Sequence, residues 1–130
     1  MNLARFLWIC LGGACGTGAR YLASGWALRL LGPAFPYGTL FINALGSLLI
    51  GAIMHVGLTT TLLSPTMRLA LTTGVMGGFT TYSTFNYETL KFIEEGAWPL
   101  GLLNILATVF VCLGAGVLGL AGARWIWPGR

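Results

Sequence analysis

The residues whose types and spacing suggest chemistry are concentrated in one uncharged segment, residues 72–87, which reads T-T-G-V-M-G-G-F-T-T-Y-S-T-F-N-Y. It holds three glycines and six threonines or serines, inside an apolar run that is long enough to span a bilayer. Glycine costs about 1 kcal/mol relative to alanine in a helix, and threonine is β-branched. We therefore predict a helix broken near Gly77–Thr80, whose freed carbonyls and amides can hold ions at membrane depth. A tightly packed helix face of small residues is the alternative interpretation.

Tyr82 and Phe85 are aromatic residues three positions apart, which places their rings on one face of a helix. An aromatic ring has a negative face and a positive edge, so ring edges can face a small anion. Ser83 and Thr84 lie between them, and their hydroxyls and the Asn43 amide hydrogens can donate to such an anion. No carboxylate lies in the middle of any predicted span, so nothing there favours a cation. Aromatics at this spacing also face lipid or a core.

A polar or small residue recurs every four positions on the second apolar segment, at Thr39, Asn43, Ser47, Gly51 and His55. Steps of four form a slanting ridge on one helix face. The ridge is either a set of interhelical hydrogen bonds or the wall of a polar pathway. Asn43 matters most, because an amide in hydrocarbon needs partners. His55 lies near the end of the segment, where a solvated or headgroup-facing histidine is favoured over a ligand.

Charged residues within the apolar segments are few. Arg20 comes late in the first segment, where an arginine faces a cavity or extends to the interface. Glu88 lies near the end of the third segment, where an interfacial charge pairing with Lys91 is the simplest interpretation. Gly12 and Gly16 form a G-x-x-x-G pair that favours close helix packing.

The composition indicates an integral membrane protein of one domain. The chain has 130 residues, of which 56% are hydrophobic and only 8% charged, against about 25% charged in soluble domains. Its net charge of +4 comes from basic residues scattered at the flanks of apolar runs, so it does not indicate nucleic acid as a partner. No nucleophile–base pair and no metal-ligand spacing of cysteines is present, so an enzyme is the least favoured class.

Four membrane spans are predicted in an all-α domain covering residues 1–130, at about 3–31, 37–62, 66–95 and 98–126. Counting basic residues outside the hydrocarbon gives one side Arg5, Arg68, Arg124 and Arg130, and the other side Arg29 and Lys91. An excess of two is a weak positive-inside signal, so both orientations can form and an antiparallel homodimer becomes possible. Four helices enclose little space of their own, and a pathway forms most simply between subunits.

Three ordered motifs resemble the bacterial Fluc (CrcB) family of fluoride channels. Residues 77–85, G-G-F-T-T-Y-S-T-F, resemble the family's G-G-x-[ST]-T-F-S-T-F signature. Residues 12–21 resemble its first-span G-G-x-x-G-x-x-x-R-[YW], and residues 37–43 resemble its P-x-G-T-L-x-V-N. The similarity covers essentially the whole chain. It implies a fluoride-selective channel for passive efflux, built as an antiparallel dual-topology homodimer with two pores at the subunit interface. It also implies a multi-pass protein of the bacterial inner membrane, in contact with lipid.

The resemblance also implies roles for residues in the pore. Asn43 is expected to donate to fluoride, Phe85 and Tyr82 to form an aromatic box, and Ser83 and Thr84 to line a polar track. The family usually has phenylalanine where this chain has Tyr82, and the added hydroxyl either donates to the anion or hinders its passage by binding it too well.

Five further residues are implied at the ends and centre of the pathway. Thr39 belongs with the pore lining, Glu88 with one pore mouth, and Arg20 with the vestibule. Gly77 and Thr80 are expected to offer backbone carbonyls to a structural sodium ion at the dimer centre, which is not itself transported.

Two other functions fit a four-span chain. A small multidrug-type proton-coupled exporter needs a carboxylate within the membrane, whereas the first span here offers Arg20 and the acids Glu88, Glu94 and Glu95 cluster at the end of one span. An accessory subunit without transport of its own, held together by its glycine faces, is the remaining alternative.

Overall fold

The computed structural model describes residues 2–129, and these form helices with no β-strand among them. α1 spans Leu3–Leu31, α2 spans Tyr37–Thr59, and α5 spans Trp98–Ile126. Between α2 and α5 the third helix is interrupted. Its first part, α3, covers residues 65–79 and has an α-helical start at Pro65–Leu69, a π-helical stretch at Ala70–Met76 and a short end at Gly77–Phe79. Its second part, α4, spans Tyr82–Glu94. The prediction of an all-α fold with four helices, the third broken, is confirmed.

Local sequence signals explain where the helices begin and end. The side chain of Asn2 caps the start of α1 by accepting from the backbone N–H of Ala4 at 3.0 Å. Ser64 caps α3 and is followed by Pro65 in the first turn, where the missing N–H of proline costs nothing. α1 ends at Gly32 (φ 78°), and the chain leaves α4 through Gly96 (φ 76°), two positions that require a left-handed backbone.

The break in the third helix lies at Thr80 and Thr81, at the far edge of the predicted range. Gly77 and Gly78 are helical, so within the predicted range the interruption falls at the threonine end and not at the glycine pair. A Cβ at Gly78 would overlap the carbonyl oxygen of Gly13, which shows that Gly78 serves close packing against α1. The small-residue interpretation is therefore correct for this glycine, and the broken-helix interpretation is correct two residues later.

Close backbone contacts at glycines hold the helices together. On the α1 side, a Cβ at Gly12 would lie 2.6 Å from the carbonyl oxygen of Ala70, so the predicted packing role of the G-x-x-x-G pair is confirmed. On the α5 side, a Cβ at Gly51 would lie 2.6 Å from the carbonyl oxygen of Gly116. Such short approaches between backbones are typical of helices that pack within a membrane.

The helices alternate in direction, so that the end of α2, the start of α3 and the end of α5 lie together. There Arg68 Nη1 donates to the carbonyl oxygen of Gly57 at 2.9 Å, and His55 Nε2 contacts the carbonyl oxygen of Trp127 at 2.9 Å. His55 is buried, so the preference for a solvated or headgroup-facing histidine is wrong. Arg130, which entered the count of basic residues, lies outside the described residues.

The outer surface is apolar and the interior is small. The buried core is centred on Ile42, Met76 and Phe79, whereas large apolar side chains such as Leu3, Phe110 and Leu118 are exposed along the helices. α2 and α5 are each long and apolar enough to cross a membrane. A surface of this kind requires a lipid environment, because in water it would drive aggregation. The chain is therefore a membrane protein.

Candidate ion pathway at the helix break

The break exposes a short stretch of extended backbone in the middle of the bundle. Thr80 has φ −87° and ψ 161°, and Thr81 has φ −151° and ψ 121°. Both backbone groups of Thr81 are without helical hydrogen bonds, and lipid supplies no replacements. Asn43 on α2 supplies two of them, because its Nδ2 donates to the Thr81 carbonyl oxygen at 2.9 Å and its Oδ1 accepts from the Thr81 N–H at 2.8 Å.

The other polar groups of the break are bonded as well. Arg20 Nη1 on α1 donates to the Thr80 carbonyl oxygen at 3.1 Å, and the Thr80 N–H donates to the Met76 carbonyl oxygen at 3.0 Å. The Thr81 hydroxyl caps α4 by accepting from the Thr84 N–H at 3.2 Å. The interruption is thus a specified structure in which neighbouring side chains replace the missing helical bonds.

The carbonyl of Gly77 is released by this arrangement. In a continuous helix the Thr81 N–H would bond to the Gly77 carbonyl four residues earlier, but here it bonds to Asn43. Gly77 is exposed on the surface of the groove described next, and a backbone carbonyl is a ligand suited to a hard cation. Thr80 also lines the groove, and its carbonyl oxygen accepts from Arg20.

An open groove of about 620 Å³ runs between α2, the interrupted helix and α5. Asn43, Gly77, Thr80, Tyr82 and Phe85 all line it, so five of the predicted site residues share one cavity. The rings of the two aromatic residues have centroids 5.6 Å apart and planes tilted by 59°. One ring is buried, that of Phe85, and the other is 76% exposed, that of Tyr82. The groove therefore combines an amide, hydroxyls and aromatic rings, with no carboxylate among the described residues that line it.

Thr39 and Glu88 lie in a second cavity of about 470 Å³ near the other end of α2. The Thr39 hydroxyl donates to Glu88 Oε1 at 2.8 Å, and Glu88 Oε2 is buried without a hydrogen-bond partner. The predicted pair of Glu88 with Lys91 is wrong, because Lys91 Nζ lies 3.9 Å from Glu95 Oε1 instead. Thr39, in the first turn of α2, lies against the face of α4 that carries Glu88.

Ser83 and Thr84 line neither of these two cavities and are exposed on the first turn of α4. Both hydroxyls contact the Thr81 hydroxyl, Ser83 Oγ at 3.3 Å and Thr84 Oγ1 at 3.1 Å. In this structure they belong to the start of α4, and their place in a polar track stays a prediction.

The polar residues of α5 were not among the predicted site residues. Asn104 is 2% exposed, and its Nδ2 donates to Thr89 Oγ1 at 2.9 Å, which in turn donates to the Phe85 carbonyl oxygen at 2.8 Å. Thr108, four residues later, lines the groove, and its buried hydroxyl has no partner. The signal was present, since an amide within an apolar run needs partners.

Taken together, these features define a small helical membrane protein whose interrupted helix places polar groups beside an open groove. The family described as CrcB-like protein, Camphor Resistance (CrcB), matches residues 7–120 of the chain. The protein belongs to this family.

Named relatives are similar along almost the whole chain. A protein of Sorangium cellulosum (strain So ce56) named Fluoride-specific ion channel FluC is 57% identical over 127 residues, which cover 98% of this chain and 100% of the relative. A protein of the same name from Anaeromyxobacter dehalogenans (strain 2CP-1 / ATCC BAA-258) is 52% identical over 124 residues, covering 95% and 98%. Another from Geobacter sulfurreducens (strain ATCC 51573 / DSM 12127 / PCA) is 48% identical over 122 residues, covering 94% and 98%.

Proposed function

We propose that this protein is a fluoride-selective channel that lets fluoride leave the cytoplasm passively. Its relatives carry the name of a fluoride-specific ion channel at up to 57% identity over almost their full length. The structural observation that carries the proposal is the groove at the helix break. It presents amide and hydroxyl donors and two aromatic rings from residues of the matching motifs, among them Asn43, Tyr82 and Phe85.

The chemistry of the groove suits a small, strongly hydrated anion. Fluoride gives up water only where donors replace its hydration shell. One N–H of the Asn43 side chain donates to Thr81, and the second is left to donate to the anion. Positive ring edges of Tyr82 and Phe85 would face the ion from the side, and the Tyr82 hydroxyl adds a donor that phenylalanine lacks. The groove offers fluoride a sequence of weak contacts rather than one tight site.

The second cavity would form one mouth of the pathway. It contains the Thr39 hydroxyl bonded to Glu88, with Lys91 also in its lining. Lys91 pairs with Glu95, which also lines this cavity, so the mouth has no excess of positive charge, and the hydrogen bond from Thr39 holds the Glu88 carboxylate in place. Arg20 would add positive charge to the vestibule, and Ser83 and Thr84 would line a polar track once a second subunit closes the groove.

The working unit would be a homodimer of two inverted copies with two pores, in the bacterial inner membrane, each copy crossing it four times. The groove is open on one side, which leaves room for a second copy to complete it. Helix direction supports dual insertion, because Arg5, Arg68 and Arg124 lie towards one end of the bundle and Arg29 and Lys91 towards the other. The bias is small enough for either orientation.

A structural sodium ion would join the two copies through the carbonyls of Gly77 and Thr80, two from each subunit. The released Gly77 carbonyl fits this role, and the second lone pair of the Thr80 carbonyl remains for it beside the bond from Arg20. When bound, such an ion supplies a fixed positive charge between the subunits. In this chain Asn43 and Arg20 hold the backbone that would carry the ligands.

Ion release from liposomes containing only this protein tests the proposal. Loaded vesicles should release fluoride rapidly and retain chloride, with both ions followed by electrodes. Asn43→Asp should reduce fluoride release by at least about tenfold, because a like charge about 4 Å away costs about 4 kcal/mol at an effective dielectric constant of 20. Chloride release at a comparable rate would reject selectivity.

A matched control uses the same substitution far from the groove. Asn2 caps α1, and aspartate is an equally good cap, so Asn2→Asp should leave fluoride release unchanged. Equal release from both variants would remove Asn43 from the pathway. Proton-driven uptake of a cationic dye, rather than fluoride release, would instead identify a multidrug-type exporter.

A further inference from the structure

The side chain of Asn43 uses both ends of its amide on the backbone of a single residue. Its Oδ1 accepts from the Thr81 N–H at 2.8 Å while its Nδ2 donates to the Thr81 carbonyl oxygen at 2.9 Å. We infer that Asn43 is a positioning residue, which holds the third helix open at Thr81 and thereby releases the Gly77 carbonyl. This role is additional to the donation of a hydrogen bond to an anion.

The amide oxygen of Asn43 has a partner that anion binding alone would not require. An anion accepts hydrogen bonds, so a side chain that served only as its donor would need nothing from Oδ1. Here Oδ1 takes the N–H that would otherwise close the helix onto Gly77. Asn43 therefore competes directly with the helical bond at this position, and it prevails because the pair of bonds satisfies both backbone groups of Thr81 at once.

The surface of α2 beside the break leaves space for the extended backbone. Gly46 lies one turn after Asn43, and a Cβ there would overlap the Cγ2 methyl of Thr80. The missing side chain lets the extended backbone approach α2 closely enough for the amide to reach Thr81. Gly46 and Asn43 on one face of α2 thus act together, because Gly46 leaves space for the backbone and Asn43 forms hydrogen bonds with it.

Loss of the Asn43 amide would leave two backbone groups of Thr81 without hydrogen-bond partners. An unbonded buried N–H or carbonyl costs about 1–3 kcal/mol, and two would be exposed to hydrocarbon if the amide were absent. In the folded bundle Arg20 still holds the Thr80 carbonyl, so without Asn43 the segment would fluctuate at the break instead of closing as one helix, and the Gly77 carbonyl would lose its present position. The inference rests on the proposed function in one respect, namely that the break serves an ion pathway.

Amide hydrogen exchange on the full-length protein in lipid nanodiscs tests this role without any transport measurement. The peptide covering residues 77–85 is followed by mass spectrometry, with fragmentation to resolve the Thr81 amide. Asn43→Leu keeps the shape of the side chain and removes both hydrogen bonds, so exchange at Thr81 should be faster by about tenfold or more. Asn43→Asp keeps the acceptor for the Thr81 N–H but loses the donor to the Thr81 carbonyl, so the Thr81 amide should be better protected than in Asn43→Leu and less protected than in the original protein.

Ser47→Ala is the matched control, because it removes a polar group from the same helix and the same groove one turn away. Its Thr81 amide should exchange at the original rate. Wild-type protection in Asn43→Leu would overturn the inference, and so would equal loss of protection in the leucine and aspartate variants. If peptides from residues 104–120 also exchange fast in Asn43→Leu, that variant has lost its overall fold and only Asn43→Asp is informative. Loss of Thr81 protection in Asn43→Asp, with residues 104–120 still protected, would then overturn the inference. If Asn43→Asp keeps Thr81 protected but no longer releases fluoride, the result supports both the positioning role and the pore role of Asn43. If it keeps Thr81 protected and fluoride release is unchanged, only the pore role is rejected.

Discussion

A single added methyl group at Gly46 probes the contact between α2 and the interrupted helix. A Cβ there would lie well inside van der Waals contact with the Cγ2 methyl of Thr80. Non-bonded carbon atoms are normally separated by about 3.5–4.0 Å, so Gly46→Ala must displace Thr80 by more than about 1 Å. Overpacking of this kind costs about 1–3 kcal/mol of stability.

The displacement should reach the hydrogen bonds of the break. The bonds between Asn43 and Thr81 are 2.9 and 2.8 Å long, and a shift of about 1 Å takes them beyond the range in which a hydrogen bond forms. We expect Gly46→Ala to lower the melting temperature and to reduce fluoride release from proteoliposomes by about tenfold or more, since each lost bond is worth about 1 kcal/mol. Both quantities are measured on the same preparation.

A second substitution identifies the cause. Thr80→Ser removes the methyl group that collides and keeps the hydroxyl, which donates to the Met76 carbonyl oxygen at 2.9 Å. The double variant Gly46→Ala/Thr80→Ser should regain most of the lost stability and release. Gly18→Ala is the control, because a Cβ there meets nothing within 4 Å. Full activity of Gly46→Ala, or failure of Thr80→Ser to restore it, would refute the reasoning.

Three further outcomes are expected from contacts elsewhere in the bundle. Gly119→Ala should destabilise the protein by about 1–3 kcal/mol in thermal unfolding, because its Cβ would overlap the carbonyl oxygen of Leu48, whereas Gly122→Ala meets nothing and should be neutral or slightly stabilising; equal effects would contradict the packing. Arg20→Gln should cost about 1.5–3 kcal/mol by removing the charged donor to the Thr80 carbonyl, with partial recovery in Arg20→Lys; a melting temperature unchanged in both would exclude this contact. Replacing sodium by N-methylglucamine during purification should dissociate the proposed dimer in cross-linking experiments, and a dimer indifferent to sodium would argue against the central ion.

Helix content and helix ends followed from local sequence signals. Gly32 before Pro33, and Ser64 before Pro65, end and start helices through their own backbone preferences, and the observed helices agree with them. The second helix ends at Thr59 rather than at 62, a difference within the fraying of a helix end. Such features depend on a few neighbouring residues, which is why sequence alone predicts them.

The location of the break depended on contacts between helices and was predicted less well. Propensity predicted a break near Gly77–Thr80, and the interruption falls at the end of that range where Asn43 and Arg20 supply partners to Thr80 and Thr81. The same limit applies to His55, which is buried against the carbonyl oxygen of Trp127. These partners are far apart along the chain, so no local pattern in the sequence relates them.

The residues that line the groove were predicted from the sequence more accurately than the hydrogen bonds that these residues form. The motifs identified Asn43, Tyr82 and Phe85, and the fold brings all three to one cavity. That both ends of the Asn43 amide bond to the backbone of one residue, and that Asn104 joins α5 to Thr89, required knowledge of how the helices pack. Residue type reveals the need for a partner, and only the packed structure reveals which partner meets it.

The way in which the break is satisfied has a consequence for biogenesis. Its hydrogen bonds come from α1 and α2, so they are absent while the segment 65–94 enters the bilayer by itself. At that stage hydrocarbon favours an unbroken helix, with the Thr81 N–H bonded to the Gly77 carbonyl. Opening must therefore follow docking against the two preceding helices. A chain that leaves the translocon with those helices misplaced would insert stably and still lack its ion pathway.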